Sequence, residues 1–309
     1  MLVNIFEEFS FEDFIKTNAV KDLPQEQQIK YYNQYLQDLD IARQNWLSYQ
    51  NKGPLPNLEP NGPVSCQAGM DVIFLIDYTG SMGNIINSIK SQVANIVQTI
   101  ITESGNDYRL GLVLFDEFEV NVGHPIYTTK PLYTTLPANR RLQLPGVGDG
   151  TNDPIIMYIT GLVELANQNE NDFNTVLQDL NTLDFPIVQG SGTPEPGDVG
   201  YEEVLNGIVG TFRNDVAKIV ILISDALPGG GNETYDQTTI DSLNASKTTS
   251  ITEGIQVFYL DVNSAGVTRN PNEGYRILSD NTDGIYSQST TADATSIITG
   301  IQNICSDNA

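Results

Sequence analysis

Three long apolar runs restrict the fold of this chain more than any other feature. They are DVIFLID at 71–77, KIVILISDA at 218–226 and IQVFYLDV at 255–262. A strand that buries one face alternates polar and apolar residues, whereas a strand buried on both faces is apolar along most of its length. Amphipathic helical patterns lie between the runs, and this alternation is typical of α/β folds. We therefore predict a doubly wound, mostly parallel sheet with helices on both faces.

The remaining elements of the domain follow from hydrophobic periodicity. Segment 85–102 has apolar residues at spacings of three and four, which predicts a helix, and 108–116 predicts a second strand. Gly254 is the predicted end of a later helix. The other predicted elements are helices in DFNTVLQDL, GYEEVLNGIVGTF, YDQTTIDSLNASKTTSITEG and ADATSIITGIQNIC, and a short edge strand in GIYSQS.

Residues 1–60 differ from the rest and predict an N-terminal helical arm and linker, ahead of a domain at 61–309. A helix is expected to start near Pro24, which suits the first helical turn. The sequence NKGPLPNLEPNGP then predicts a linker. The helix either packs on its own domain or docks a partner chain or a second copy, and the linker favours the second alternative. The apolar stripe of this helix comprises Ile29, Tyr32, Leu36, Leu39 and Trp46.

Residues 117–170 are too long for an ordinary connection between a strand and a helix. We predict that they contain an antiparallel edge strand and an insertion near the ligand-binding end of the sheet. Within them, GDGTND most simply forms a turn. The alternative is a calcium site that uses Asp149, Asn152 and Asp153.

The composition argues against several classes of function. A net charge of −24 repels phosphate backbones, so no nucleic-acid partner is expected. No apolar run reaches the roughly 18 residues of a membrane span, and the acidic N-terminus does not resemble a Sec-type signal peptide. His124 is the single histidine, and neither a G-x-S-x-G elbow nor a Walker motif occurs. We therefore expect no enzymatic activity.

The first apolar run ends in DYTGSMG, which places Asp77, Thr79 and Ser81 after a buried strand. Ligands of open α/β sheets bind at the carboxyl ends of the strands. Alternate residues of an extended turn point in the same direction, so the three side chains can converge. Gly80 and Gly83 allow a tight turn into the next helix, whose N-terminal end carries partial positive charge. Carboxylate and hydroxyl oxygens suit Mg²⁺, Mn²⁺ or Ca²⁺ rather than Zn²⁺.

This D-x-T-x-S motif resembles the metal-ion-dependent adhesion site (MIDAS) of von Willebrand factor type A (VWA) domains, whose usual form is D-x-S-x-S. The family also needs a threonine on a later loop and an aspartate at the end of its fourth strand. Thr193 in GSGTPEPGD and Asp225 in VILISDALPGG stand at these places. The resemblance covers residues 66–305.

The resemblance implies a role for each of the five residues. Thr79 and Ser81 would bind the metal directly, whereas Asp77 and Asp225 would act mainly through coordinated waters. Thr193 would bind directly or through water. The sixth coordination position would be open to a Glu or Asp that a partner presents.

The resemblance also gives a role to the two cysteines. Cys66 precedes the first strand and Cys305 ends the last helix. Several extracellular members of the family join these places by a disulfide, which would imply an oxidising environment. The alternative is two unpaired thiols.

We therefore expect a non-enzymatic adhesion module that residues 1–60 tether to a larger assembly. A virion or tail structure is favoured, because such a particle is made in the cytosol and released without a signal peptide. The partner would be a protein or glycan that offers a carboxylate. The alternatives are an intracellular adaptor of a separate ATPase, which should carry free thiols, and a secreted cell-surface adhesin.

Overall fold

The structure is a computed structural model that describes residues 66–119, 141–144, 155–179, 194–229, 234–263, 266 and 268–306, with 11, 24–29, 32, 33 and 36 near the N-terminus. Its strands are β1 (Met70–Asp77), β2 (Tyr108–Glu119), β3 (Arg141–Leu144), β4 (Ile155–Asn167), β5 (Ala217–Ser224), β6 (Ile255–Asp261) and β7 (Ile285–Gln288). Its helices are α1 (Ile86–Glu103), α2 (Glu170–Asp179), α3 (Gly197–Leu205), α4 (Gln237–Glu253), α5 (Arg276–Ser279) and α6 (Thr295–Ser306).

The described strands form one sheet in the order β3-β4-β2-β1-β5-β6-β7. The pairs from β2 through β1, β5 and β6 to β7 are parallel. Because β1 lies between β2 and β5, the chain leaves it first toward one edge of the sheet and later toward the other. This reversal is the switch point at which open α/β sheets bind ligands. The predicted fold class is confirmed.

The central strands are buried on both faces, as their apolar runs predict. Alternate residues of β1 contribute to two separate apolar clusters. Phe74 belongs to the cluster that contains residues of α1 and α6, and Leu75 to the cluster that contains residues of α3 and α4. A sheet covered by helices on both faces is the reason that these strands lack the polar alternation of a half-exposed strand.

The connection after β2 contains two antiparallel strands, where the sequence predicts one antiparallel edge strand. β4 pairs with β2 in antiparallel orientation, and β3 pairs with β4 at the edge of the sheet. The GDGTND segment and His124 lie outside the described residues, so the turn, its calcium alternative and the histidine stay as predictions.

One helix ends earlier than its sequence pattern predicts. The pattern GYEEVLNGIVGTF favours a helix to about residue 212, but α3 ends at Leu205. Gly207 and Gly210 have φ angles of +81° and +100°, which a right-handed helix does not allow. In contrast, α4 ends as predicted, because Gly254 adopts the left-handed conformation at its C-terminus.

Cys66 and Cys305 are joined by a disulfide, with Cα atoms 4.9 Å apart. The bond links the turn before β1 to the last helix across a sequence separation of 239 residues. Both cysteines are buried in the larger apolar cluster. The two ends of the domain are therefore held together at one place in the core.

Near the N-terminus, residues 25–29, 32, 33 and 36 are helical, which agrees with a helix after Pro24. The ring of Tyr32 packs edge-on against Phe11, with centroids 5.2 Å apart. The division into an arm at 1–60 and a domain at 61–309 stays a prediction, since most of the arm lies outside the described residues. Among the helices that the structure does describe, none combines the length and the apolar character needed to cross a membrane.

Candidate metal centre

Asp77 ends β1 and is completely buried at the carboxyl edge of the sheet. Its Oδ1 accepts hydrogen bonds from the Thr79 main-chain N–H at 3.0 Å and from Thr79 Oγ1 at 2.6 Å. Its Oδ2 accepts a hydrogen bond from Ser224 Oγ at 2.7 Å. Both carboxylate oxygens are therefore fixed in direction by hydroxyl groups on two neighbouring strand ends.

The hydroxyl groups of Thr79 and Ser81 lead from this buried carboxylate toward solvent. Thr79 Oγ1 lies 3.2 Å from Ser81 Oγ, and Ser81 Oγ donates to Asp225 Oδ1 at 3.0 Å. Thr79 is buried, whereas Ser81 is exposed. The sequence-predicted residues Asp77, Thr79, Ser81 and Asp225 thus form one continuous set of contacting side chains with an open side at Ser81.

A short 3₁₀ turn explains why these residues can converge. Thr79 has an extended backbone (φ −74°, ψ 166°), and the turn Gly80–Asn84 follows it directly. The α-helix itself begins at Ile86, within one residue of the start predicted from the pattern at 85–102. The 3₁₀ turn thus lies between the strand and the helix, and Ser81 stands on it.

Ser224 is a site residue that the sequence reasoning missed. Its hydroxyl donates to Asp77 and accepts from the Ala226 main-chain N–H at 3.1 Å. Ser224 therefore bonds both Asp77 and the residue that follows Asp225. Its carbonyl oxygen accepts from the Val262 N–H at 3.0 Å. The available signal was a small polar residue at the end of the otherwise apolar run before Asp225.

Thr193, the fifth predicted ligand, lies outside the described residues, so its role stays a prediction. The segment that follows it is anchored beside the site. The Glu195 N–H donates to the Leu227 carbonyl at 2.8 Å, and the Gly229 N–H donates to the Glu195 carbonyl at 2.9 Å. These two bonds join the segment that begins at Pro194 to the chain just after Asp225.

The site brings together two carboxyl groups, and the surrounding protein offsets only part of their negative charge. The pKa of Asp77 is raised from 3.8 to about 7, because burial and then the charge of Asp225 raise it more than hydrogen bonds from Thr79 and Ser224 lower it. Burial also raises the pKa of Asp225. Two neighbouring carboxyls that are costly to ionise favour a bound cation.

The oxygen atoms fit a hard divalent cation. Two oxygens that bind one Mg²⁺ at about 2.1 Å and at right angles lie about 3 Å apart. The spacings of 3.2 Å from Thr79 to Ser81 and 3.0 Å from Ser81 to Asp225 match this value. Within the described residues, no three His, Cys, Asp or Glu side chains are grouped so that they could hold a metal ion. A cation here would therefore need the hydroxyl oxygens.

Comparison with known proteins finds similarity among solved structures. No protein-family model matches the sequence, and no curated protein matches it. The pilus adhesin SpaC from Lactobacillus rhamnosus GG, in its open conformation, has 15% identity and a TM-score of 0.45; the match covers 82% of this chain and 30% of that chain. The SpRpn10 VWA domain has 11% identity and a TM-score of 0.41, and the match covers 76% of this chain and 94% of that one. The manganese-loaded Plasmodium vivax TRAP protein has 15% identity and a TM-score of 0.42, with coverage of 78% and 74%. At these identities the similarity concerns the fold alone.

Proposed function

We propose that this chain is a non-enzymatic binding module that holds an acidic group of a protein or glycan through a divalent cation. The observation that carries the proposal is the continuous contact from Asp77 through Thr79 and Ser81 to Asp225. These residues come from the ends of β1 and β5, which the sheet places side by side.

The chemistry of the residues supports Mg²⁺, with Mn²⁺ or Ca²⁺ as alternatives. Hard oxygen ligands select these ions over Zn²⁺. Hydroxyl ligands carry no charge, so an ion bound here would keep much of its positive charge and attract a carboxylate from outside. The exposed Ser81 marks the side from which such a group can approach. The resemblance to VWA domains assigns Thr193 to the same ligand set.

The Cys66–Cys305 disulfide supports an oxidising final location, because such bonds persist outside reducing compartments. It counts against the intracellular ATPase adaptor, which should carry free thiols. We propose that the chain belongs to a virion or tail structure, with residues 1–60 as the part that docks into the assembly. A secreted cell-surface adhesin is the second candidate, since it shares the disulfide. Titration of thiols in the denatured, unreduced chain should detect none.

Cation binding to the full chain tests the site directly. Mn²⁺ is a suitable probe because its binding can be followed by electron paramagnetic resonance and by calorimetry. The wild-type chain should bind one Mn²⁺ that Mg²⁺ displaces, and Ser81→Ala and Asp225→Asn should each lose this binding while keeping the circular dichroism of the wild type. Ser91→Ala is the matched control, because Ser91 is also exposed but lies on α1.

Two results would contradict the proposal. The first is a wild-type chain that binds no Mn²⁺ at millimolar concentrations. The second is undiminished binding in Ser81→Ala, which would place the ion elsewhere on this acidic surface.

A further inference from the structure

Arg269 connects three neighbouring strands beside the candidate site. Its Nη2 donates to the main-chain oxygen of Asp225, which follows β5, at 3.1 Å. Its Nε lies 3.3 Å from Oδ2 of Asp261, the last residue of β6. Its main-chain N–H donates to the hydroxyl of Tyr286 in β7 at 2.9 Å. A single residue of the segment after β6 therefore contacts the residue that follows β5, the last residue of β6 and a residue of β7.

Asp261 gives the guanidinium group of Arg269 a fixed anchor. The Asp261 side chain is completely buried, and that of Arg269 is only 18% exposed. Oδ1 of Asp261 accepts from the main-chain N–H and the Nδ2 of Asn263, at 3.2 Å and 2.7 Å. Oδ2 accepts from the Tyr286 hydroxyl at 3.1 Å. The carboxylate is thus held by three hydrogen-bond donors, and the ion pair attaches Arg269 to this rigid part of the sheet.

The main chain of Arg269 is also held in place. Nη1 of Arg276 donates to the Arg269 carbonyl at 2.7 Å. The same Arg276 guanidinium lies over the ring of Tyr286, 4.3 Å from its centroid. Arg269 is therefore supported by both the sheet and the neighbouring helix α5. A residue held in this way can set the position of its hydrogen-bonding partner.

The hydrogen-bonding partner of Arg269 is Asp225, whose carboxylate helps to form the open side of the site. Asp225 lies one residue beyond β5, where the ladder of the sheet ends. Its carboxylate reaches Ser81, a residue 144 positions away in sequence, and the direction of this side chain follows from the orientation of the Asp225 main chain. The Asp225 carbonyl, which is part of this main chain, accepts the hydrogen bond from Arg269.

We propose that Arg269 is a positioning residue for the cation site, which holds the main chain of Asp225 so that its carboxylate faces Ser81. This inference rests on the proposed function. It gives the loop after β6 a role in ligand binding.

The inference and simple electrostatics predict opposite effects when Arg269 is replaced. Removal of a positive charge beside a cation site, with Asp261 left without its ion pair, should strengthen cation binding through Coulomb attraction. Loss of positioning should weaken it. Groups that orient metal ligands typically change affinity by about 10- to 100-fold when they are removed.

The experiment measures Mn²⁺ affinity of the full chain for the wild type, Arg269→Gln and Arg269→Lys. We expect Arg269→Gln to bind at least about tenfold more weakly than the wild type. We expect Arg269→Lys to fall between the two, since one ammonium group can reach the Asp225 carbonyl or the Asp261 carboxylate but does not span both. Coulomb attraction alone gives the reverse order, with Arg269→Gln binding most tightly.

Arg109→Gln is the matched control. Arg109 also pairs with a completely buried aspartate, Asp71, and also donates to a main-chain carbonyl, that of Thr211. Asp71 and Arg109 lie at the amino ends of β1 and β2, opposite the site. Arg109→Gln should lower the thermal midpoint, as the Arg269 variants do, but leave Mn²⁺ affinity unchanged. A general loss of stability would not reproduce that contrast.

The possible failures can be told apart. Equal or tighter Mn²⁺ binding by Arg269→Gln, with a wild type that binds, overturns the role of Arg269 and leaves the cation site standing. A wild type without Mn²⁺ affinity overturns both. If Arg269→Gln does not fold by circular dichroism, Arg269→Lys decides: weakening of about threefold or more supports the inference, and unchanged affinity overturns it.

Discussion

Replacement of Ser224 by alanine would test whether the buried carboxylate of the site is held as the structure indicates. Ser224 Oγ donates to Asp77 Oδ2 at 2.7 Å and accepts from the Ala226 N–H at 3.1 Å. A hydrogen bond to a charged group contributes about 1.5–3 kcal/mol, and a buried N–H without an acceptor costs about 1 kcal/mol or more. Because Ser224 is fully buried, water cannot easily replace the lost hydroxyl. We expect Ser224→Ala to reduce the free energy of unfolding by about 2–4 kcal/mol.

Two measurements on the same variant separate support of the fold from support of the site. Urea unfolding at about pH 8, where Asp77 is mostly ionised, gives the change in stability. Mn²⁺ titration gives the second effect, an expected weakening of about 10- to 100-fold, because the Asp77 carboxylate would lose the hydrogen bond to Oδ2 that helps to fix its direction.

Ser250→Ala is the matched control for this experiment. Ser250 is equally buried, and its hydroxyl bonds the Tyr201 hydroxyl at 2.6 Å and the Ser246 carbonyl at 2.8 Å, away from the site. It should lose stability without losing Mn²⁺ affinity. If Ser224→Ala changes stability by less than about 0.5 kcal/mol and binds Mn²⁺ like the wild type, the hydroxyl does not hold Asp77 and the reasoning is wrong.

Three further predictions concern the fold around the site. Joint replacement of Cys66 and Cys305 by alanine should reduce the free energy of unfolding by roughly 3–5 kcal/mol, because the disulfide closes a loop of 239 residues. Urea unfolding with and without a reductant measures this change. The reductant should destabilise the wild type but not the variant. Burial raises the pKa of Glu203 from 4.5 to about 7, so the folded state holds this proton more tightly and stability should fall as pH rises between these values. Glu203→Gln should reduce this loss of stability, which is measured as the difference in the free energy of unfolding between about pH 5 and about pH 7.5. A difference identical to that of the wild type would contradict the prediction. Gly197→Ala would place a methyl group 2.3 Å from the Tyr275 hydroxyl oxygen, so we expect a lower thermal midpoint in calorimetry, and no change would show that Tyr275 moves without cost.

The sequence alone determined the parallel strands of the sheet and one half of the site. The apolar runs that become β1, β5 and β6 predict buried parallel strands, because burial on both faces removes polar alternation, a property that is visible residue by residue. Asp77, Thr79 and Ser81 could also be grouped from the sequence, since they are neighbours in one turn and the backbone geometry of a turn is local. Asp225 was added through resemblance to VWA domains, and the structure places its carboxylate against Ser81.

The tertiary structure alone decided what holds these groups in place. Ser224 contacts Asp77 across 147 residues, and Arg269 contacts Asp225 across 44, and neither pairing follows from periodicity. The end of α3 at Leu205 likewise depends on backbone angles at glycines that a helical apolar pattern does not exclude. The hydrophobic pattern of a sequence indicates which face of a helix or strand is buried. The contacts between strand ends depend instead on sheet order and register, which arise only when the whole sheet assembles.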